Sequence, residues 1–143
     1  MKKMILKGLV ASLAVAMLSP LPVQAKEAVS IGAPEKGKGQ VVFFRKGGLF
    51  GAAISCAVHE KGEKLSSLPP GKYAVIQAEP GIHEYTVASE SRDTLRLEIE
   101  DGETYYSQCN VTMGVMAGRP NLSPSDKDKF GEMSAKLKPA EKK

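Results

Sequence analysis

The sequence predicts an all-β protein: an antiparallel β-sandwich of six or seven strands with one short C-terminal helix. Three observations carry this. Short β-branched and aromatic runs recur at about ten-residue spacing between Gln40 and Thr112, each closed by Gly, Pro or a charged turn. Several of these runs alternate apolar and polar residues, the period of a strand with one face buried. Only the stretch after Ser123 changes to helical spacing.

The elements follow in order. Gln40–Arg45 (QVVFFR) is a strand by composition. Lys46-Gly47-Gly48 marks a loop. Ala53–His59 places Ile54, Cys56 and Val58 on one face and Ser55, Ala57 and His59 on the other. Glu60-Lys61-Gly62-Glu63 is a charged turn, Leu65 and Leu68 follow, and Pro69-Pro70-Gly71 breaks the chain. Tyr73–Ala78 predicts a further strand, closed by Glu79-Pro80-Gly81. His83–Val87 groups His83, Tyr85 and Val87. Thr94–Glu100 alternates most regularly, with Leu95, Leu97 and Ile99 inward and Arg96, Glu98 and Glu100 outward. Asp101-Gly102 is a strong hairpin signal, and the returning strand, Thr104–Thr112, puts Tyr105, Cys109 and Val111 on one face. Ser123-Pro124-Ser125-Asp126 reads as a helix start, with Phe130, Met133 and Leu137 at helical spacing and Pro139 as the stop. That helix is expected to pack on the sandwich.

The first residues set the compartment. Lys2, Lys3 and Lys7 precede an apolar run of about 12 residues, where a membrane span needs roughly 20. Pro20 and Pro22 end the run, and Val23-Gln24-Ala25 offers small residues for a signal peptidase. The expected organisation is a signal peptide at 1–25, a flexible leader at 26–39, the β domain at 40–122, an amphipathic helix at 123–138 and a tail at 139–143. No cysteine sits at the cleavage site, so a soluble periplasmic or secreted protein without a stable membrane span is expected, not a lipid-anchored one. Removing the signal peptide takes three of the four net positive charges, leaving about +1. The remaining lysines are scattered beside acids rather than clustered in a stripe, which excludes a nucleic-acid surface.

Cys56 and Cys109 are the only thiols, and in an oxidising compartment they are expected to pair. Such a bond closes a loop of about 54 residues, for which chain entropy gives roughly 4 kcal/mol of stabilisation.

Longer phrases go beyond periodicity. Leu68-Pro69-Pro70-Gly71-Lys72-Tyr73, Glu79-Pro80-Gly81-Ile82-His83-Glu84-Tyr85 and Asp101-Gly102-Glu103-Thr104-Tyr105-Tyr106 occur in the order of a bacterial family of exported proteins whose domain has no assigned function, and Met113–Leu122 resembles that family's closing segment. The arrangement is also similar to PEGA-like and transthyretin-like sandwich modules. The resemblance implies an all-β sandwich in the cell envelope and brings no catalytic residues.

The chemistry-bearing residues point the same way. Cys56, His59, His83 and Cys109 have a composition that suits zinc, but residues three apart on a strand face opposite sides. Met113 and Met116 could serve copper(I), though packing is the expected role of two methionines. No serine lies in a Gly-x-Ser-x-Gly elbow, and His83 and Glu84, as strand neighbours, cannot form a base–orienter pair. His83 is expected to be packed or hydrogen-bonded beside Tyr85, with ligand binding as its other role. Arg119 is a second binding candidate, for an anion or carboxylate; its alternative is to tie the helix to the sheet. The expectation is a non-enzymatic binding or accessory module with no cofactor and with an envelope protein or glycan as partner. The alternative is a small inhibitor of a hydrolase, inserting Lys46–Gly51 or Glu60–Lys64 into a cleft. A metal- or thiol-dependent redox protein is the remote third.

Overall fold

A computed structural model of the chain describes residues 19–89, 91–116 and 118–141. The charged and apolar parts of the expected signal peptide lie outside them. Nine strands in two sheets and one helix are described: β1 (Gly39–Phe44), β2 (Cys56–Glu60), β3 (Glu63–Leu68), β4 (Lys72–Ala78), β5 (Gly81–Ala88), β6 (Arg92–Ile99), β7 (Thr104–Met113), β8 (Gly118–Ser125), α1 (Lys127–Ser134) and β9 (Lys138–Pro139). The protein is an all-β sandwich with a short C-terminal helix. One sheet has the order β8-β7-β1-β4-β9 and the other β3-β2-β5-β6. No helix among the described residues is long and apolar enough to cross a membrane.

Alternation predicts the inner faces well. Val41, Phe43, Cys56, Val58, Leu68, Tyr85, Val87, Leu95, Ile99, Cys109 and Leu122 form one core between the sheets. A second core lies outside the five-stranded sheet. Val42 and Phe44 pack there against Phe130 and Leu137, with Tyr73, Tyr106 and Met133 around them. Phe130 meets Phe44 and Tyr73 edge-to-face at 5.3 and 5.7 Å between ring centroids, a favoured aromatic arrangement. The helix therefore packs on the sandwich as its apolar spacing predicts.

Four details differ from the sequence expectations. First, β1 pairs with β7 in parallel, and β4 with β9, so the ladders are not all antiparallel. Second, Asp101-Gly102 makes its turn but no hairpin. β6 and β7 belong to different sheets, and the Gly102 amide donates to the Lys38 carbonyl at 3.0 Å. Turn chemistry fixes the reversal; which strand each arm then pairs with is decided by longer-range packing.

Third, Ser123–Ser125 are strand, not helix. Asp126 is the N-cap, its carboxylate accepting from the Lys129 amide at 2.8 Å. Pro120 and Pro124 are tolerated because β8 is an edge strand. Leu122, between them in the same period-2 set, donates its amide away from β7, to the Asp93 carboxylate of β6 at 2.8 Å, so the Pro nitrogens face outward too. That bond also closes the sandwich along one side. Fourth, the leader at 26–38 has no strand or helix but is pinned. Val29 and Ile31 pack on the outer core, and the Val29 amide donates to Ser134 Oγ at 3.0 Å.

Tyr85 is fully buried, and its hydroxyl is the single buried side-chain polar atom among the described residues without a hydrogen-bond partner. An orphan hydroxyl costs about 1–3 kcal/mol, so Tyr85→Phe is expected to raise stability by about 1 kcal/mol in denaturant titrations. Burial also pushes the phenol above its ordinary value, with the Glu60 charge adding to it. A raised folded value means this contribution is complete below the unfolded value of about 10 and is lost as pH rises beyond it. Tyr85→Phe should therefore lose less stability than wild type between pH ~9 and ~11; equal losses would refute the assignment.

Candidate functional site

Strand β1 ends at Phe44, and the next side chain, Arg45, turns inward and is buried. Its guanidinium donates through Nη1 to the Ile54 carbonyl and, at 3.0 Å, to that of Leu68, and through Nη2 to Gly51 at 2.8 Å. Its backbone joins the β3–β4 turn, the amide donating to Lys72 and the carbonyl accepting from Gly71. Burial lowers the guanidinium's proton affinity from its ordinary value, but an arginine stays charged. One buried cation thus gathers three carbonyls from two segments and fixes the loop at 46–55.

That loop lies on the β7–β8 hairpin. Gly51 has φ +65°, and a Cβ there would sit 2.9 Å from a Val111 methyl. A Cβ on Gly118 would sit 2.7 Å from Val111 and 3.1 Å from Ile54. Only glycine permits these two approaches. Ser89 Oγ donates to the Gly118 carbonyl at 2.7 Å, which brings the β5–β6 turn to the same end. Beneath them Cys56, the first residue of β2, is joined to Cys109 of β7, with 6.5 Å between their Cα atoms. The expected disulfide is present, and it links the two sheets directly under both loops.

The side chains this frame presents are apolar. Leu49 and Phe50 in the loop and Met113, Val115 and Met116 at the hairpin tip are 62–93% exposed. They are five of the nine exposed large apolar side chains among the described residues. The others are Leu21 and Val23 before the fold and the separate Val75 and Ile82, so the clustering belongs to this end alone. Exposed apolar clusters of this kind mark contact surfaces. The expectation that Met113 and Met116 serve packing is thereby overturned: the hairpin carries them beyond the sandwich edge. The adjoining cleft, lined by Lys46, Phe50, Asn110 and Val111 among others, holds only about 170 Å³, below the usual range of about 300–1,000 Å³ for small-molecule pockets.

The other candidates fall elsewhere. His83 points inward from β5, stacks on Tyr85 at 6.0 Å, and has Nδ1 2.5 Å from Glu60 Oε1 and Nε2 2.7 Å from the Glu79 carbonyl. It is packed and hydrogen-bonded beside Tyr85. The His83–Glu60 pair was not legible from spacing, because β2 and β5 must first be neighbours. It has a base–orienter form, yet a backbone carbonyl occupies the nitrogen that would face a substrate. His59 lies at a bulge in β2, away from the disulfide. A larger groove of about 600 Å³ on the outer face of the four-stranded sheet is lined by His59, Glu60, Glu84, Arg92 and Arg96 among others, with Glu84 and Arg96 already 4.0 Å apart. No group of three metal-ligating side chains occurs among the described residues. Arg119 sits in β8 opposite Thr112, beside the hairpin tip rather than between the last strand and the helix.

Residues 35–120 match a family model described as "Protein of unknown function (DUF2846)". The chain belongs to that family. The matched region spans β1 to the start of β8, and so contains Arg45, the 46–55 loop, the disulfide and the hairpin tip. No curated protein and no solved structure matches the chain.

Two outcomes test this frame. The Cys56→Ala/Cys109→Ala variant should lose about 3 kcal/mol of stability in guanidinium titrations; an unchanged midpoint, or two free thiols by mass spectrometry of unreduced protein, would contradict it. Arg45→Met leaves three carbonyls without their donor and should cost about 2 kcal/mol. It should also speed tryptic cleavage after Lys46, and an equally protected loop would show that the guanidinium does not hold it.

Proposed function

We propose that this protein is a non-enzymatic binding or accessory module of the bacterial cell envelope, periplasmic or secreted after cleavage behind Ala25. The location is supported by the basic, apolar and small-residue pattern of residues 1–25 and by a disulfide suited to an oxidising compartment. The finer likeness to PEGA-like and transthyretin-like modules belongs to this reading, supported by the Pro80-Gly81 turn that joins β4 to β5.

The observation that carries the binding role is the loop end itself. Leu49, Phe50, Met113, Val115 and Met116 are held in water by a buried arginine and a disulfide. Ordering such a surface in advance lowers the entropy cost of binding. An envelope protein or glycan is the expected partner class, with no cofactor.

Hydrolase inhibition remains a second reading, favoured by one feature. The Lys46–Gly51 loop projects Leu49 while Arg45 anchors the chain behind it, as a cleft-inserting loop requires. The other candidate loop, Glu60–Lys64, is a tight β2–β3 turn with no apolar tip. Redox chemistry at the cysteines has the least support, since both sulfurs are buried.

Capture from envelope extract by wild type and by Leu49→Ser/Phe50→Ser tests the binding reading. The variant is expected to retain its melting temperature and to lose capture by at least about tenfold, because central apolar anchors dominate binding. Equal capture by both proteins would end it. Loss of a captured hydrolase's activity would favour the inhibitor instead.

A further inference from the structure

The partner of the loop end can be specified by its charge. Four pairings place the same end of the sandwich together: Phe44↔Tyr73, Cys56↔Leu68, Ala88↔Arg92 and Met113↔Gly118. Segments 45–55, 68–72 and 111–119 meet there and contain Arg45, Lys46, Lys72 and Arg119 but no Asp or Glu. Residues 88–92 add Arg92 and, in sequence, Glu90. Lys138 joins the same rim, its amide donating to Gly71. Asp93, next to Arg92 in the chain, accepts from the Leu122 amide at 2.8 Å.

The opposite end carries both signs, with Lys38 paired to Glu35 at 3.0 Å and to Glu79 at 3.8 Å. Gly39 pairs with Ala78 and Gly81 with Ile99, and the Gln40 amide donates to the Glu103 carbonyl. Glu79, Glu100, Asp101 and Glu103 therefore gather there. The chain outside its signal peptide is nearly neutral, and the loop-end segments 45–55, 68–72 and 111–119 stand out in it by carrying basic residues alone.

We infer that the loop end docks on an anionic lipid bilayer surface, with Leu49, Phe50, Val115 and Met116 entering the headgroup–acyl boundary and Lys46, Arg92 and Lys138 meeting lipid phosphates around them. The inference rests on the reading of this end as the binding surface and puts a lipid surface in place of the protein or glycan expected there. Charge complementarity favours lipid: a cationic rim around apolar tips matches an interface that is anionic outside and apolar beneath. Shape favours it as well. Leu49, Met113, Val115 and Met116 are 76–93% exposed on two loop tips, and the cleft beside them, which Phe50 helps to line, holds only about 170 Å³, so they suit a yielding medium better than a shaped pocket. Lys46 adjoins the apolar tip and can lay its stem along the boundary with its ammonium in the headgroup layer. An anionic surface attracts this end, because its three segments carry basic residues and no acid.

The chain has no tryptophan, so Phe50→Trp introduces a single indole at the proposed insertion point. With phosphatidylglycerol–phosphatidylethanolamine vesicles its emission is expected to shift to the blue and to be quenched by lipids brominated in their acyl chains. Phosphatidylcholine vesicles should produce neither effect, and added salt should weaken binding. In co-sedimentation of the mature protein, residues 26–143, Leu49→Ser/Phe50→Ser should weaken vesicle binding by at least about tenfold, and Lys46→Glu by about tenfold at low salt. Melting curves check that both variants stay folded. Equal binding to neutral and anionic vesicles, or an indole that stays unshifted and unquenched, overturns the inference. Should vesicles fail while Leu49→Ser/Phe50→Ser still abolishes capture of an envelope protein, or dissolves a dimer of this chain, the lipid partner is wrong and the binding surface stands. Should the variant change none of these, both fall.

Discussion

Everything in this fold is arranged around a strand that water never touches. Every residue of β1 is buried, with Val41 and Phe43 facing the space between the sheets and Val42 and Phe44 facing outward. A strand apolar on both faces needs cover on both, which is why the five-stranded sheet carries α1 and the pinned leader on its back. The two ends of β1 are buried and polar. Gln40 donates to the Gly32 carbonyl at 2.6 Å and to Thr104 Oγ1 at 3.0 Å, and accepts from Gln77 Nε2 at 2.8 Å. Arg45 satisfies the carbonyls of the 46–55 loop and of Leu68. One end of the strand thus orders the leader and the other orders the loop that reaches solvent.

The loop end inherits its rigidity from this arrangement and from the bond below it. Cys56 begins β2 where the loop finishes, and Cys109 lies four residues before the hairpin tip. The covalent link joins the two sheets at the base of both projections, so neither can move far without deforming the core. Leaving five large apolar side chains in water forgoes the roughly 1.5–3 kcal/mol that burial of each would contribute. A fold that has a well-formed core elsewhere and still holds these residues out, on loops braced by a desolvated cation, departs from the most stable arrangement at that end. Departures of that kind concentrate where a protein meets something else.

How much of this the sequence discloses depends on the range of the interactions involved. Alternation along Thr94–Glu100 foretells Leu95 and Ile99 inside, because side-chain direction follows from backbone period alone. The cysteine pair is readable because there are only two. Strand partnership is another matter. Asp101-Gly102 reverses the chain whether or not its two arms pair, and here each arm finds its neighbours in a different sheet. Pro120 and Pro124 argue against a central strand but permit an edge, and nothing local says which. The unbroken apolar run Val41–Phe44 did carry a further signal, since a strand with one wet face alternates and this one does not. It announces the outer layer that the helix supplies. Arg45 looks like the solvated end of that strand, and only tertiary contacts reveal three carbonyls around it.

The loop end escaped a search for chemistry because of the residue types it uses. A reading of function from sequence looks first to histidine, cysteine, serine and carboxylates, since those groups transfer protons, bind metals and attack carbonyls. In this molecule several of them are committed to the fold. The thiols are joined in the core, His83 bridges Glu60 and Glu79, Ser134 accepts from the leader, and Asp93 closes the sandwich side. What remains at the surface in concentrated form is leucine, phenylalanine, valine and methionine, residues whose ordinary place is the interior. Their position inverts the usual assignment of roles: polar side chains hold the frame, and apolar ones make the contact. Such residues act only by area and charge context. That favours a partner that is broad, apolar beneath and anionic at its surface over one that must be recognised atom by atom.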